Sequence, residues 1–289
     1  LKLTRKYYTE DMPDGRVKHI VQNITDPDIV PYIPDGIGNS TDRQRIPAVL
    51  IIPGGAFRRL VYNFEGEDVA KWLNSMGIAA FVLECRLPSD EHDNAEDVPL
   101  IDAMRAMRVI RGRAQEFGID EAKIGVMGFS AGGFMAALLS TAYESDVYAD
   151  YKYKDEYDKL SARPDFAVCS YPVISIDDCI EAGKRYMSEE QVLERISDSK
   201  AKILHKYNPD KLVRLDMPPV FICETDDDRT TLSENSVGFY MAARKAGVSA
   251  ELHIFRTGGH GYGCGDDFAQ TGEWKVLFTK WIKSIGIIS

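Results

Sequence analysis

The stretch Gly128-Phe129-Ser130-Ala131-Gly132-Gly133 constrains the fold more than any other part of the chain. An apolar run at 123–127 leads directly in, and a helical run of small residues at 131–143 leads directly out. A serine on so sharp a strand-to-helix turn has a strained backbone. Glycines two before and two after it remove the side chains that would clash there. The hydroxyl then stands at the head of a strand. The Ala131 amide, at a helix N-terminus, points to where a negative oxygen would form.

Such a turn belongs in a sheet whose strands run parallel into helices, and the remaining sequence alternates accordingly. Short apolar runs at 48–52, 78–83, 166–171, 220–224 and 250–255 read as strands. Between them, residues 68–76, 95–117, 234–246 and 267–285 carry helical spacing. Ile101, Met104, Met107, Ile110, Ala114 and Phe117 fall at steps of three and four, and Gly118 closes that helix. The pattern predicts an α/β fold with a mostly parallel sheet and helices on both faces. A single domain over 1–289 fits this length. Residues 1–45 are polar and turn-rich, with an edge strand expected at 17–24 and breaks at Pro27, Pro31 and Pro34. Residues 176–218 follow a strand C-terminus and read as a small cap insertion, with helical pieces near 188–196 and 198–205.

Composition narrows the chemistry. With 35 basic and 45 acidic residues the net charge is −10. Phosphate neutralisation needs clustered Lys and Arg, so neither nucleic acid nor an anionic membrane surface is expected as a partner. The five cysteines have no CxxC spacing and no paired histidine, so neither a metal nor a redox centre is called for. Reduced thiols, no apolar leader and no run of about 18 apolar residues lead to the expectation of a cytoplasmic protein. A secreted one whose leader has been removed stays open, because the chain does not begin with Met.

A serine hydroxyl is a weak nucleophile without a base. Of the five histidines, His260 alone lies in a loop at a strand C-terminus, within Thr257-Gly258-Gly259-His260-Gly261-Tyr262-Gly263. His253 sits within a strand, His19 on the N-terminal strand, His92 in a charged loop and His205 in the cap region. The base needs an acid to orient it. The strand at 220–224 ends in Thr225-Asp226-Asp227-Asp228-Arg229, which offers three carboxylates. The loop Pro53-Gly54-Gly55-Ala56-Phe57 follows the strand at 48–52, and its paired glycines let backbone N–H groups approach a ligand.

These segments resemble α/β-hydrolases of the acetyl-xylan-esterase-like, BD-FAE-like lipase/esterase group, over roughly 47–285. The resemblance runs through 53–57, 65–83, 124–133, Arg163-Pro164-Asp165-Phe166, Glu234-Asn235-Ser236 and 258–263. It implies Ser130 as nucleophile, His260 as base, and Gly54, Gly55 and Ala131 as oxyanion donors. Counting back from Glu234 in the group's pattern selects Asp228 as the acid, with Asp227 the alternative. Two departures stand out: Ala56 replaces a third glycine, and Thr231-Leu232 replaces a Val-Pro pair. The implied activity is cofactor-free hydrolysis of short acyl esters, with acetylated xylan fragments the leading substrate. A prolyl-oligopeptidase-like peptidase shares the Ser-Asp-His order but carries a large propeller that 45 polar residues cannot form. A non-catalytic binding module on this fold typically loses triad members, whereas here each has a candidate.

Overall fold

The computed structural model describes residues 4–12, 14–36, 45–90, 92–149, 151, 154–185, 187–188, 190–192, 201–265 and 270–289. Seven strands form the main sheet: β3 (Asp28–Tyr32), β4 (Ile46–Ile52), β6 (Ala79–Glu84), β7 (Ile119–Phe129), β8 (Ala167–Ser170), β9 (Val220–Thr225) and β10 (Ala250–Phe255). Their order is β10-β9-β8-β7-β4-β6-β3. Every pairing is parallel except that of edge strand β3 with β6. All of β6, β8 and β9 is buried, as expected of strands covered on both faces.

Alternation along each strand sends side chains to opposite faces. Ala48, Leu50, Ile52, Ala79, Phe81 and Leu83 join one core, while Val49, Ile51, Ala80 and Val82 join the other. Helices α2 (Val98–Gly112), α4 (Ala131–Ala142) and α7 (Ser233–Lys245) cover the first face through residues such as Met104, Met107, Phe134 and Phe239. Helices α1 (Asp68–Ser75) and α8 (Glu273–Ser284) cover the second through Val69, Leu73, Trp274, Phe278 and Trp281. Each such apolar side chain, fully buried, contributes about 1.5–3 kcal/mol. The short helix α3 (Ala114–Phe117) ends at Gly118, whose φ of 68° is the left-handed turn expected there.

The N-terminal arm differs from its reading as an edge. Strand β2 (Val17–Gln22) is the middle of a separate antiparallel sheet, between β1 (Lys6–Asp11) and β5 (Leu60–Val61). Ile20 pairs with Val61 and Val21 with Leu60, so the arm grips the chain just after Pro53-Gly54-Gly55. Pro31 does not break the chain: it lies within β3, on the sheet edge, where its missing N–H leaves no ladder bond unmade.

In the segment read as a cap, α5 (Ile176–Lys184) and α6 (Ala201–Lys206) are helical. Residues 193–200, which hold the last four residues of the piece expected at 188–196 and the first three of that expected at 198–205, lie outside the described residues. Ile203, Tyr207 and Met217 pack into the core shared with α4 and α7. The last helix begins at Glu273, and 266–269 at the expected start likewise lie outside the described residues. Among the described residues no helix is long and apolar enough to cross a membrane. Cys85, Cys169, Cys223 and Cys264 are buried.

Candidate active site

Strand β7 delivers Ser130 at the C-terminal edge of the sheet, and α4 begins at the next residue. Ser130 has φ 54° and ψ −119°, the strained turn foreseen from its neighbours. A Cβ on Gly128 would lie 1.9 Å from the Gly132 oxygen, and one on Gly132 would lie 1.9 Å from the Ile52 oxygen. Both positions therefore exclude every side chain. The Ser130 N–H donates to the Ser170 oxygen of β8 at 3.0 Å, which ties the turn to its neighbouring strand.

His260 reaches this serine from the loop after β10. Its Nε2 lies 2.8 Å from Ser130 Oγ, and its Nδ1 lies 2.6 Å from Asp228 Oδ2. Asp228 leaves the end of β9 with a side chain that has no exposed surface. Its Oδ1 accepts the Thr230 and Thr231 N–H groups at 2.7 and 3.0 Å, and its Oδ2 accepts the Thr231 hydroxyl at 3.0 Å. Burial pushes this carboxyl up, but the His260 hydrogen bond and charge and the Thr231 and Thr230 amides outweigh it. The net result is a carboxyl below its usual range. Asp228 is thus ionised near neutral pH.

The neighbouring aspartates do other work. Asp227 Oδ1 accepts the Gly258 and Gly259 N–H groups at 2.9 and 2.8 Å, anchoring the loop that carries His260. Asp226 is exposed. The other histidines stay apart from the serine: His253 Nε2 meets Glu251 Oε1 at 2.8 Å, His92 Nε2 meets the Ile24 oxygen at 2.9 Å, and His19 lies on β2 and His205 on α6.

Of the three oxyanion donors expected, the structure removes Gly54. Its N–H donates to Glu65 Oε2 at 2.8 Å, because a buried carboxylate must collect donors. Gly54 still needs to be glycine: a Cβ there would lie 2.5 Å from the Phe129 oxygen and 2.9 Å from Ser130 Cβ. Among the described residues, the N–H groups of Gly55 and Ala131 donate to no protein acceptor. Of the three expected donors, these two are left unengaged. Ala56, where the related pattern has glycine, sits at φ 57° and is exposed.

Sequence reasoning missed three residues here. Thr231 appeared only as a departure from a pattern, yet its hydroxyl lies 3.0 Å from Asp228 Oδ2 and 3.2 Å from His260 Nδ1. Tyr171 packs its ring edge-on to His260, 5.0 Å between centroids. Glu65 lies on the buried stripe continued by Val69 and Leu73, at steps of four. A carboxylate at such a position was the available signal.

Below Asp228, Glu224 is fully buried and accepts the Thr225 N–H at 2.9 Å and the Ser236 hydroxyl at 3.3 Å. Burial first, and the Asp228 charge second, hold its carboxyl well above the usual range. As pH rises past the ordinary glutamate value, the unfolded chain loses this proton while the folded one keeps it. The folded state then binds more protons, so stability falls with pH until the folded group also ionises. Glu224→Gln removes that slope. The Tm of Glu224→Gln minus that of wild type is expected to grow between about pH 4.5 and pH 8. Parallel curves across that range would contradict the assignment.

The BD-FAE family model matches residues 37–242. The acetylxylan esterase of Xylanibacter ruminicola is 31% identical over 240 residues, which are 82% of this chain and 45% of that protein. The endo-1,4-beta-xylanase B of Butyrivibrio fibrisolvens is 29% identical over 269 residues, 90% of this chain and 40% of that protein. The chain therefore spans less than half the length of these curated relatives. The crystal structure of an acetyl ester-xyloside bifunctional hydrolase from Caldicellulosiruptor lactoaceticus is 38% identical, with a TM-score of 0.74. That match covers 91% of this chain and 89% of the other. Sheet order, serine turn and family match agree, and the chain belongs to the BD-FAE family of α/β-hydrolase esterases.

Proposed function

We propose that this chain is a serine carboxylesterase for short acyl esters, with acetyl esters of xylan fragments as the substrate class. Ser130 Oγ attacks the ester carbonyl while His260 Nε2 takes its proton. Asp228 accepts the Nδ1–H of His260, fixes its tautomer and stabilises the imidazolium. The Gly55 and Ala131 N–H groups receive the oxyanion. Collapse expels the alcohol with the proton from His260 and leaves an acyl group on Ser130. His260 then deprotonates a water, which attacks the acyl-enzyme, releases the acid and restores the serine.

The observation that carries this reading is the unbroken run of contacts from Ser130 Oγ through His260 to Asp228, at 2.8 and 2.6 Å. The acyl and alcohol preferences rest on other support. A tight apolar pocket lined by Phe57, Leu60, Leu87, Pro99 and Met135 lies against Gly55 and Ala131, which favours a short acyl chain. The acetylxylan esterase and the acetyl ester-xyloside hydrolase among the relatives favour an acetylated xyloside alcohol.

A substrate panel tests the reading: p-nitrophenyl esters of increasing acyl length, acetylated xylo-oligosaccharides and a prolyl amide. The expected result is the highest kcat/KM on the shortest esters, acetate release from the oligosaccharides and no amide cleavage. Prolyl amide cleavage without ester turnover would make the chain a peptidase. Inertness toward every substrate, together with no labelling by a fluorophosphonate, would make it a binding module.

A further inference from the structure

Glu65 is a carboxylate 4% exposed that takes no part in proton transfer as described above. It sits in the π-helical turn Asn63–Glu67 that leads into α1. One oxygen, Oε2, accepts the Gly54 N–H at 2.8 Å from the loop after β4. The other, Oε1, accepts the Tyr171 hydroxyl at 2.9 Å from the end of β8. The Tyr171 hydroxyl oxygen in turn accepts the Gly263 N–H at 3.0 Å, three residues after His260. Tyr171 also lays its ring edge-on to His260, and its carbonyl oxygen lies 3.2 Å from the Thr231 hydroxyl oxygen.

We propose that Glu65 is a positioning residue that locks the oxyanion loop and the histidine loop to each other around Ser130, using its two carboxylate oxygens and the Tyr171 hydroxyl as the bridge. The proposal rests on the reading of Ser130 as nucleophile.

The physical case follows from where the three bonds go. Gly54, Tyr171 and Gly263 come from three different segments, and every one of these bonds is buried. Removing one partner of a buried pair leaves a polar group unsatisfied, at a larger cost than the bond itself is worth. The loops therefore cannot shift independently. Occupying the Gly54 N–H also narrows which amides of the loop stay available to a ligand, that of Gly55, one peptide later, among them. Burying a carboxylate opposes its charged form. Burial accordingly raises the Glu65 carboxyl, while His260, the Tyr171 hydroxyl and the Gly54 amide pull it back. A side chain so costly to bury, with both oxygens aimed at site loops, matches a role in holding geometry. Misplacement of reacting groups by about 1 Å costs on the order of a hundredfold in rate.

The test is a double-mutant cycle on Glu65→Gln and Tyr171→Phe, measured on p-nitrophenyl acetate. Glu65→Gln keeps the shape but carries one acceptor oxygen in place of two. Tyr171→Phe removes only the hydroxyl and covers the case in which the Glu65 variant folds poorly. Each single variant is expected to lower kcat by about 10- to 100-fold with KM within about threefold, because the loops act on the transition state. The double variant is expected to lose little more than the worse single, because both break one bridge. Near-normal kcat in Tyr171→Phe, or additive losses, would overturn the proposal. So would losses that track only a fall in folded protein by circular dichroism. Fluorophosphonate labelling of wild-type Ser130 is read in parallel. If wild type labels and the variants keep their rates, the bridge fails while the nucleophile stands. If wild type does not label, the nucleophile reading fails first.

Discussion

Ser130→Ala is expected to lower kcat on a short ester by about 10⁶-fold, leaving on the order of 10³-fold over water from the remaining amides. The expected change in Tm is small. Oγ bonds to His260 Nε2 at 2.8 Å, whereas the turn is held by backbone bonds and by glycines that leave no space for a Cβ. The hydroxyl therefore contributes chemistry and little packing. Near-wild-type turnover in this variant, measured after the preparation is shown to be free of host esterase, would remove Ser130 from the nucleophile role.

The second large effect separates three adjacent carboxylates. Asp228→Asn is expected to cost on the order of 10⁴ in kcat, about 5 kcal/mol, because the amide favours the wrong imidazole tautomer. Asp227→Asn keeps an oxygen that can accept the Gly258 and Gly259 N–H groups, so little loss is expected. Asp227→Ala loses that anchor and is expected to fall roughly tenfold. Asp226→Asn is expected to match wild type, since its carboxylate is exposed. All four variants belong in one assay on one ester. A crippled Asp227→Asn beside a near-normal Asp228→Asn would move the acid by one residue.

The parts legible in the sequence were those fixed by local rules. The Ser130 turn is a short-range steric problem, and its glycines state the solution directly. The continuous apolar runs at 48–52 and 78–83 marked strands of a sheet covered on both faces, and Gly118 marked a helix end. What could not be read depends on pairings across long sequence separations. Glu65 meets Tyr171 from 106 positions away, in a charged stretch that by pattern alone is a helix lead-in. Gly54 looked like a ligand-facing donor because glycine pairs usually serve that purpose. Only the position of Glu65 reveals that the amide is already engaged. Strand β2 looked like an edge because its partner β5 is two residues long and carries no strand signature of its own. Thr231 reads from the sequence only as a departure from a Val-Pro pattern, since a hydroxyl shows its value only once Asp228 and His260 stand beside it.

The central claim is that acyl transfer passes through Ser130 Oγ. The most direct measurement is rapid acid quench of the protein with p-nitrophenyl acetate in the pre-steady state, followed by peptide mass mapping. The predicted result is a single acetyl group on Ser130 within the peptide holding Gly128-Phe129-Ser130-Ala131-Gly132-Gly133, absent from Ser130→Ala and greatly slowed in Asp228→Asn. An acetyl group on another side chain that forms as fast as turnover, with Ser130 unmodified, would contradict it.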